Sequence, residues 1–216
     1  MKQFNALISG ICLLVGPLHS MAQKPIAEGT IVYDIVIQTG STALQGASNT
    51  IYLKGNNSRT DMMSPLGNET TIHNAKSGNA VILKEYSGQK LMIKLTKDNW
   101  DSKNKAYQDI SFDITNETKT IAGYNCKKAI AKMAGGKTFV VYYSPDLVPA
   151  NKDYDPTFAN LHGLAMEYEI ETGKMSFKYT LSKVGFDAVQ IAKFDFPTSG
   201  YRVMSYEESQ QMKKGN

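Results

Sequence analysis

Four pairs of apolar-rich runs, each joined by only a few turn-forming residues, constrain this chain more than anything else in it. Thr50 to Lys54 and Ser58 to Met63 flank Gly55-Asn56-Asn57, while Ala80 to Glu85 and Lys90 to Thr96 flank Ser87-Gly88-Gln89. Cys126 to Met133 and Lys137 to Ser144 flank Gly135-Gly136, and Leu164 to Glu171 and Lys174 to Lys183 flank Thr172-Gly173. Strands this close together pair antiparallel, because a parallel pair needs a crossover of about a dozen residues. The chain is therefore predicted to be mainly β: a curved antiparallel sheet or an incomplete β-barrel with a few short helices. A helix is expected within Asp98 to Asp109, and a single turn at Asp155 to Leu161, where Pro156 suits the first helical position. Ser205 and Glu208 form a capping box that opens a C-terminal helix running to about Lys214.

Two strands are apolar on both faces. Ile31, Tyr33, Ile35 and Ile37 share one face of a strand whose other face is polar only at Asp34 and Gln38, and Phe139 to Tyr143 does not alternate at all. A half-exposed antiparallel strand shows polar residues at every second position, so these strands are expected to carry material on each face. Two arrangements satisfy that. One is a two-sheet sandwich or closed barrel filled by its own side chains; the other is a curved sheet whose concave face is an apolar cavity partly plugged by helices. In the second, mid-strand apolar residues line the cavity, and Ile35, Met92, Tyr142, Tyr168 and Phe177 are the predicted ligand-binding positions. Eight Met and twelve Tyr beyond residue 22 suit an adaptable lining with wet ends.

The first 22 residues read as a signal peptide. Lys2 supplies a positive start, Ala6 to Leu18 is largely apolar, and Ser20-Met21-Ala22 offers a cleavage site. Cleavage there leaves a single β-rich domain, residues 23–216, expected in the periplasm or secreted. Ile11 stands where a lipidation motif at Cys12 needs a small residue, so no lipid anchor is expected. No later run approaches the roughly 20 apolar residues of a membrane span. Beyond the peptide Cys126 is the only cysteine, which excludes a disulfide within the chain and predicts a buried, slow-reacting thiol.

Residue chemistry argues against an enzyme. Beyond residue 22 the histidines are His73 and His162, no G-x-S-x-G stands in the sequence, and Cys126 with His162 is the only nucleophile–base pair that can be constructed. One cysteine and two distant histidines do not make a zinc set, and Asp153 with Asp155 lacks the further oxygen ligands and glycine of a calcium loop. No catalytic residue, metal or cofactor is expected. Charge is uneven: residues 76–137 hold twelve Lys against six acidic residues, while residues 146–171 hold six acidic residues against Lys152. The lysines alternate with apolar residues along strands, which reads as a solubilising surface; with a net charge of +4, nucleic acid is not an expected partner.

Glu117 to Ala129 (ETKTIAGYNCKKA), followed by Tyr142-Tyr143-Ser144-Pro145-Asp146-Leu147 and by Leu161-His162-Gly163-Leu164-Ala165-Met166-Glu167-Tyr168, resembles elements of the exported GLPGLI-related family of Bacteroidetes-type bacteria. Phe194 to Tyr201 resembles the closing strand of lipoprotein-carrier domains of the LolA and LolB kind. The carrier resemblance implies an incomplete antiparallel barrel with helices over its open side. Two functions follow as expectations. The first is a monomeric, non-enzymatic binding module that holds a lipid, a lipoprotein or another amphipathic ligand on its concave face. The second is an envelope interaction protein whose core is filled and whose surface edge docks a protein partner.

Overall fold

The computed structural model describes residues 23–214, and the proposed signal peptide lies outside the described residues. The first half of the chain gives β1 (Lys24–Ile26), β2 (Glu28–Thr39), β3 (Thr42–Lys54), β4 (Asn57–Ser64), β5 (Gly67–Asn74), β6 (Ala80–Tyr86) and β7 (Gln89–Leu95). After helix α1 (Lys97–Asn104) come β8 (Ser111–Ile121), β9 (Tyr124–Lys132), β10 (Thr138–Ser144), β11 (Leu147–Pro149), β12 (Leu164–Thr172) and β13 (Met175–Gly185). The chain finishes with β14 (Arg202–Ser205) and α2 (Tyr206–Lys214).

Twelve strands form one sheet in the order β14-β7-β6-β5-β4-β3-β2-β13-β12-β10-β9-β8. Serial hairpins build β2 to β7 on one side, and the same device builds most of the other. The halves join where β13 pairs antiparallel with β2, Tyr179 opposite Ile35 and Phe177 opposite Ile37. The sheet is open: it is curved but not closed into a barrel. All four predicted hairpins are present, and the expected helices form at α1, at the turn Pro156–Phe158 and at α2. The antiparallel expectation needs one correction. β14 runs parallel to β7, because residues 186–201 carry the chain across a face before it pairs, and β1 pairs parallel with β11.

Local chemistry sets the helix ends. Thr96 caps α1 through the Asn99 amide, while the Asn99 side chain returns to the Thr96 amide. Glu208 accepts from the Ser205 amide at 2.6 Å, and Ser205 Oγ accepts from the Glu208 amide at 3.1 Å, completing the capping box of α2.

One face of the sheet carries the principal core. Ile31, Tyr33, Val141, Tyr168 and Leu181 pack there, roofed by Tyr154 and Phe158 from the short turns Lys152–Tyr154 and Pro156–Phe158. Farther along the same face Trp100 of α1 covers Ile82, Ile93 and Leu95, joined by Met204. Each such side chain contributes roughly 1.5–3 kcal/mol by leaving water.

The opposite face is crossed by residues 186–201, which run as a strap from the end of β13 toward β7. The Val189 amide donates to Glu28 at 2.7 Å, Arg59 donates to the Lys193 carbonyl at 3.0 Å, and the Tyr201 hydroxyl meets the Glu85 carboxylate. Tyr201 packs on Val81, Leu83 and Met92. Phe194 to Tyr201, read above as a closing strand, is therefore irregular; the strand begins at Arg202. The strap turns round the β7 edge as β14, and α2 then lands on the first face.

Candidate functional site

Residues on β6 and on β13, five places apart in the sheet order, line a single cavity. Only a sheet curled toward that face permits this, so the face carrying the core is the concave one. Alternation fixes which side chains reach it: Met62, Glu69 and Lys84 occupy consecutive register positions across β4, β5 and β6, and Phe177 shares its face with Ile37.

The deep end of the concavity is filled by the aromatic core and its roof. The other end is open. There a cavity of about 430 Å³ is lined by Met62, Leu66, Lys84, Tyr86, Met175 and Phe177. A second hollow of about 180 Å³ shares Lys84 and Tyr86 and adds Leu91, Ile93, Met204 and Met212. The two hollows lie side by side on the concave face and form its trough, one on each side of Lys84 and each lined by methionines. Its rim is exposed and apolar, Leu66 being 49% and Tyr86 and Met212 each 40% accessible. Midway along the wall, Lys84 Nζ lies 2.5 Å from Glu69 Oε2, and both side chains keep contact with solvent. Unbranched, polarisable methionines adapt to a flexible apolar chain.

The five sequence-predicted positions divide between the faces. Phe177 lines the trough. Ile35 is buried beside it, packed with Ile37 and Ala47. Tyr168 is also concave but belongs to the filled end, stacked on Tyr179 at 4.7 Å and edge-on to Phe158 at 4.6 Å. Met92 lies on the convex face beneath Tyr201. Tyr142 is convex as well, between the buried Val141 and Tyr143, with its hydroxyl on Glu117 and Lys119 5.2 Å over its ring. The trough residues Met62, Leu66, Glu69, Lys84, Tyr86 and Met212 were not singled out by sequence. The parity of β4 and β6, read through their hairpins, groups Met62 on one strand and Lys84 with Tyr86 on the other, and carries no signal for Leu66, Glu69 or Met212.

Electrostatics separates the two ends. At the filled end burial raises the phenol pKa of Tyr33, Tyr154 and Tyr168 well above the ordinary value, and that of Tyr179 to about 12. Burial also raises Asp155, whose side chain caps the Pro156–Phe158 turn by accepting from the Thr157 amide at 3.0 Å. His73 stacks on Trp100 at 4.3 Å, and neither of its ring nitrogens finds a hydrogen-bond partner. Burial lowers its pKa, so it is neutral at pH 7.

Other hollows have different walls. One of about 470 Å³ lies on the convex side between Ile72, Val81 and the strap residues Phe194 and Phe196. Its polar wall is already engaged internally, Asn74 donating to Asn57 at 2.7 Å. Another, of about 350 Å³, lies between α1 and the Lys152–Ala159 turns. Cys126 is fully buried in β9 whereas His162 is exposed, so the one nucleophile–base pair constructed from sequence does not meet as a site. Among the described residues no group of three or more His, Cys, Asp or Glu is placed to hold a metal ion. Among them, too, no helix is long and apolar enough to cross a membrane.

Comparison with known proteins gives a family and a fold. The family described as a domain of unknown function, DUF4412, matches residues 28–155. No curated protein sequence matches. Among solved structures, PNGF-II is similar with a TM-score of 0.52 at 15% identity, over 85% of this chain and 33% of that one. This chain thus spans about a third of PNGF-II. The LolA superfamily protein NE2245 from Nitrosomonas europaea gives a TM-score of 0.35 at 8% identity, over 82% of this chain and 93% of that one. The MucA/MucB complex of Pseudomonas aeruginosa gives 0.40 at 9% identity, over 78% and 56%.

Proposed function

The chain belongs to the DUF4412 family, a domain of unknown function, and on that premise we propose that it is a non-enzymatic binding module that holds a lipid or other amphipathic ligand in its concave trough. The observation that carries this reading is the half-filled concavity. Its deep end is packed with Tyr168, Phe158 and Tyr33, yet its other end keeps a methionine-lined hollow of about 430 Å³ with an apolar rim. Ligand sites are concave and mostly apolar with few polar groups, and this hollow meets that description. Export to the periplasm or beyond, with cleavage after Ala22, completes the proposal, as does kinship with the GLPGLI-type exported proteins.

Docking of a protein partner through a sheet edge is the weaker reading. Of the two edge strands β14 is only four residues long, and β8 is interrupted by a register break between Ile114 and Thr118, with its charges paired as Lys128 with Glu117 and Lys132 with Asp113. Bulges and charges of this kind discourage strand addition.

Native mass spectrometry of the protein purified from its own cell envelope tests the proposal. Adducts in the mass range of lipids, displaced by a fluorescent fatty acid, are expected. A ligand-free protein that also binds no such probe overturns it.

A further inference from the structure

The wall of the hollow carries an ion pair, Lys84 with Glu69. We propose that the trough takes a zwitterionic amphipath, one apolar chain carrying an anionic phosphate and an ammonium group, with the phosphate on Lys84 and the ammonium on Glu69; this rests on the binding function proposed above. Lys84 and Glu69 stand directly opposite each other on β6 and β5, their side chains facing the hollow. The pair sits one alternation inside the rim residue Tyr86, on the row that continues down to Ile82. A headgroup bound there would leave its chain along Met62, Met175 and Phe177 in the larger hollow.

Charge compensation favours the zwitterion over either simple ion. Lys84 spends one of its three N–H donors on Glu69, and Glu69 spends one lone pair in return. Both keep unused capacity toward the hollow. A carboxylate or an amine would have to compete with the existing partner and would leave the other charge of the pair to solvent alone. A phosphate with a neighbouring ammonium satisfies both charges together, without separating the pair from a counter-charge. Charge-assisted hydrogen bonds of this kind are the stronger ones.

Three ligands of equal chain length decide the matter by titration calorimetry: myristoyl lysophosphatidylethanolamine, myristate and tetradecylamine. The wild-type protein is expected to bind the first about tenfold more tightly than the other two. Glu69→Gln should move the preference to myristate, and Lys84→Gln should move it to tetradecylamine. The double exchange Glu69→Lys with Lys84→Glu keeps a pair on the wall and should keep the preference for the zwitterion, which guards against single variants that fold poorly. Equal binding of all three ligands, or a ranking that neither single variant changes, overturns the zwitterion proposal and leaves the binding function standing. Failure of all three to bind the wild-type protein overturns the binding function itself.

Discussion

Tyr33 of β2 donates its hydroxyl to the carbonyl oxygen of Ala165 in β12 at 2.7 Å, passing over β13, which lies between them in the sheet. A hydrogen bond that skips a strand ties the curl of the sheet at its filled end. Tyr33→Phe removes that bond alone and should cost about 1 kcal/mol in urea unfolding. Tyr33→Ala also removes a buried ring and should cost about 3–5 kcal/mol.

Tyr168 and Tyr142 are separated by the sheet itself. Tyr168→Ala empties the concave stack against Tyr179 and Phe158 and should cost about 3–5 kcal/mol. Tyr142→Ala acts on the solvated convex face, should cost about 1 kcal/mol, and should leave binding of a lipid probe unchanged. Calorimetric unfolding of the two variants side by side checks both statements.

Gly163 lies against β10 where nothing larger fits. A Cβ there would stand 2.7 Å from Tyr143 Cδ2 and closer still to the Ser144 carbonyl oxygen. Gly163→Ala must push backbone rather than a flexible tip, so a loss above about 2 kcal/mol is expected. Unfolding curves within 0.5 kcal/mol of wild type, roughly the scatter of a surface substitution, would contradict it.

His73 gives the protein a pH dependence of known sign. Burial lowers its folded pKa below the ordinary 6.5, while Asp153 and Asp101 push weakly the other way. Between the lowered value and 6.5 the unfolded chain binds the extra proton, so stability falls as pH drops through 6.5 and levels off below the folded pKa. His73→Phe keeps a ring against Trp100 and removes the titration. Stability measured from pH 7.5 to pH 5 should therefore fall less for the variant than for wild type, and parallel curves would refute the assignment.

Cys126 is fully buried, and burial raises its thiol pKa. A thiol reagent should label the native protein slowly and the unfolded protein fast, with no reducible dimer on a gel.

What sequence made legible follows from range. A hairpin is a local object, so the turns at Gly55-Asn56 and Thr172-Gly173 could be read directly with their strands. β5 and β8 escaped because their sequences, GNETTIHN and SFDITNETKTI, bury little apolar surface; β5 lines the open trough and β8 is a solvated edge. Their ladders hold them in place. The trough was harder still. Alternation divides each strand into two faces but does not say which face turns inward, and that choice depends on pairings such as β2 with β13. Met92 and Tyr142 show the consequence: both are apolar and mid-strand, and both lie on the convex side. The strap, which covers that side with Tyr201, Phe194 and Phe196, carries no periodic signal at all.

The junction of β2 with β13 also sets a timetable for folding. β2 lies at the centre of the sheet, yet one of its two ladders is completed only by residues 175–185, near the end of the chain. Until those residues are available, the Ile31-to-Ile37 row has β3 on one side and an unpaired edge on the other. A nascent or truncated chain ending before β13 would therefore present a long apolar strand edge, the feature that templates aggregation. Pairing across so many residues is slow because loop closure precedes its reward. The second half of the sheet thus acts, for the first half, as a shield that arrives late.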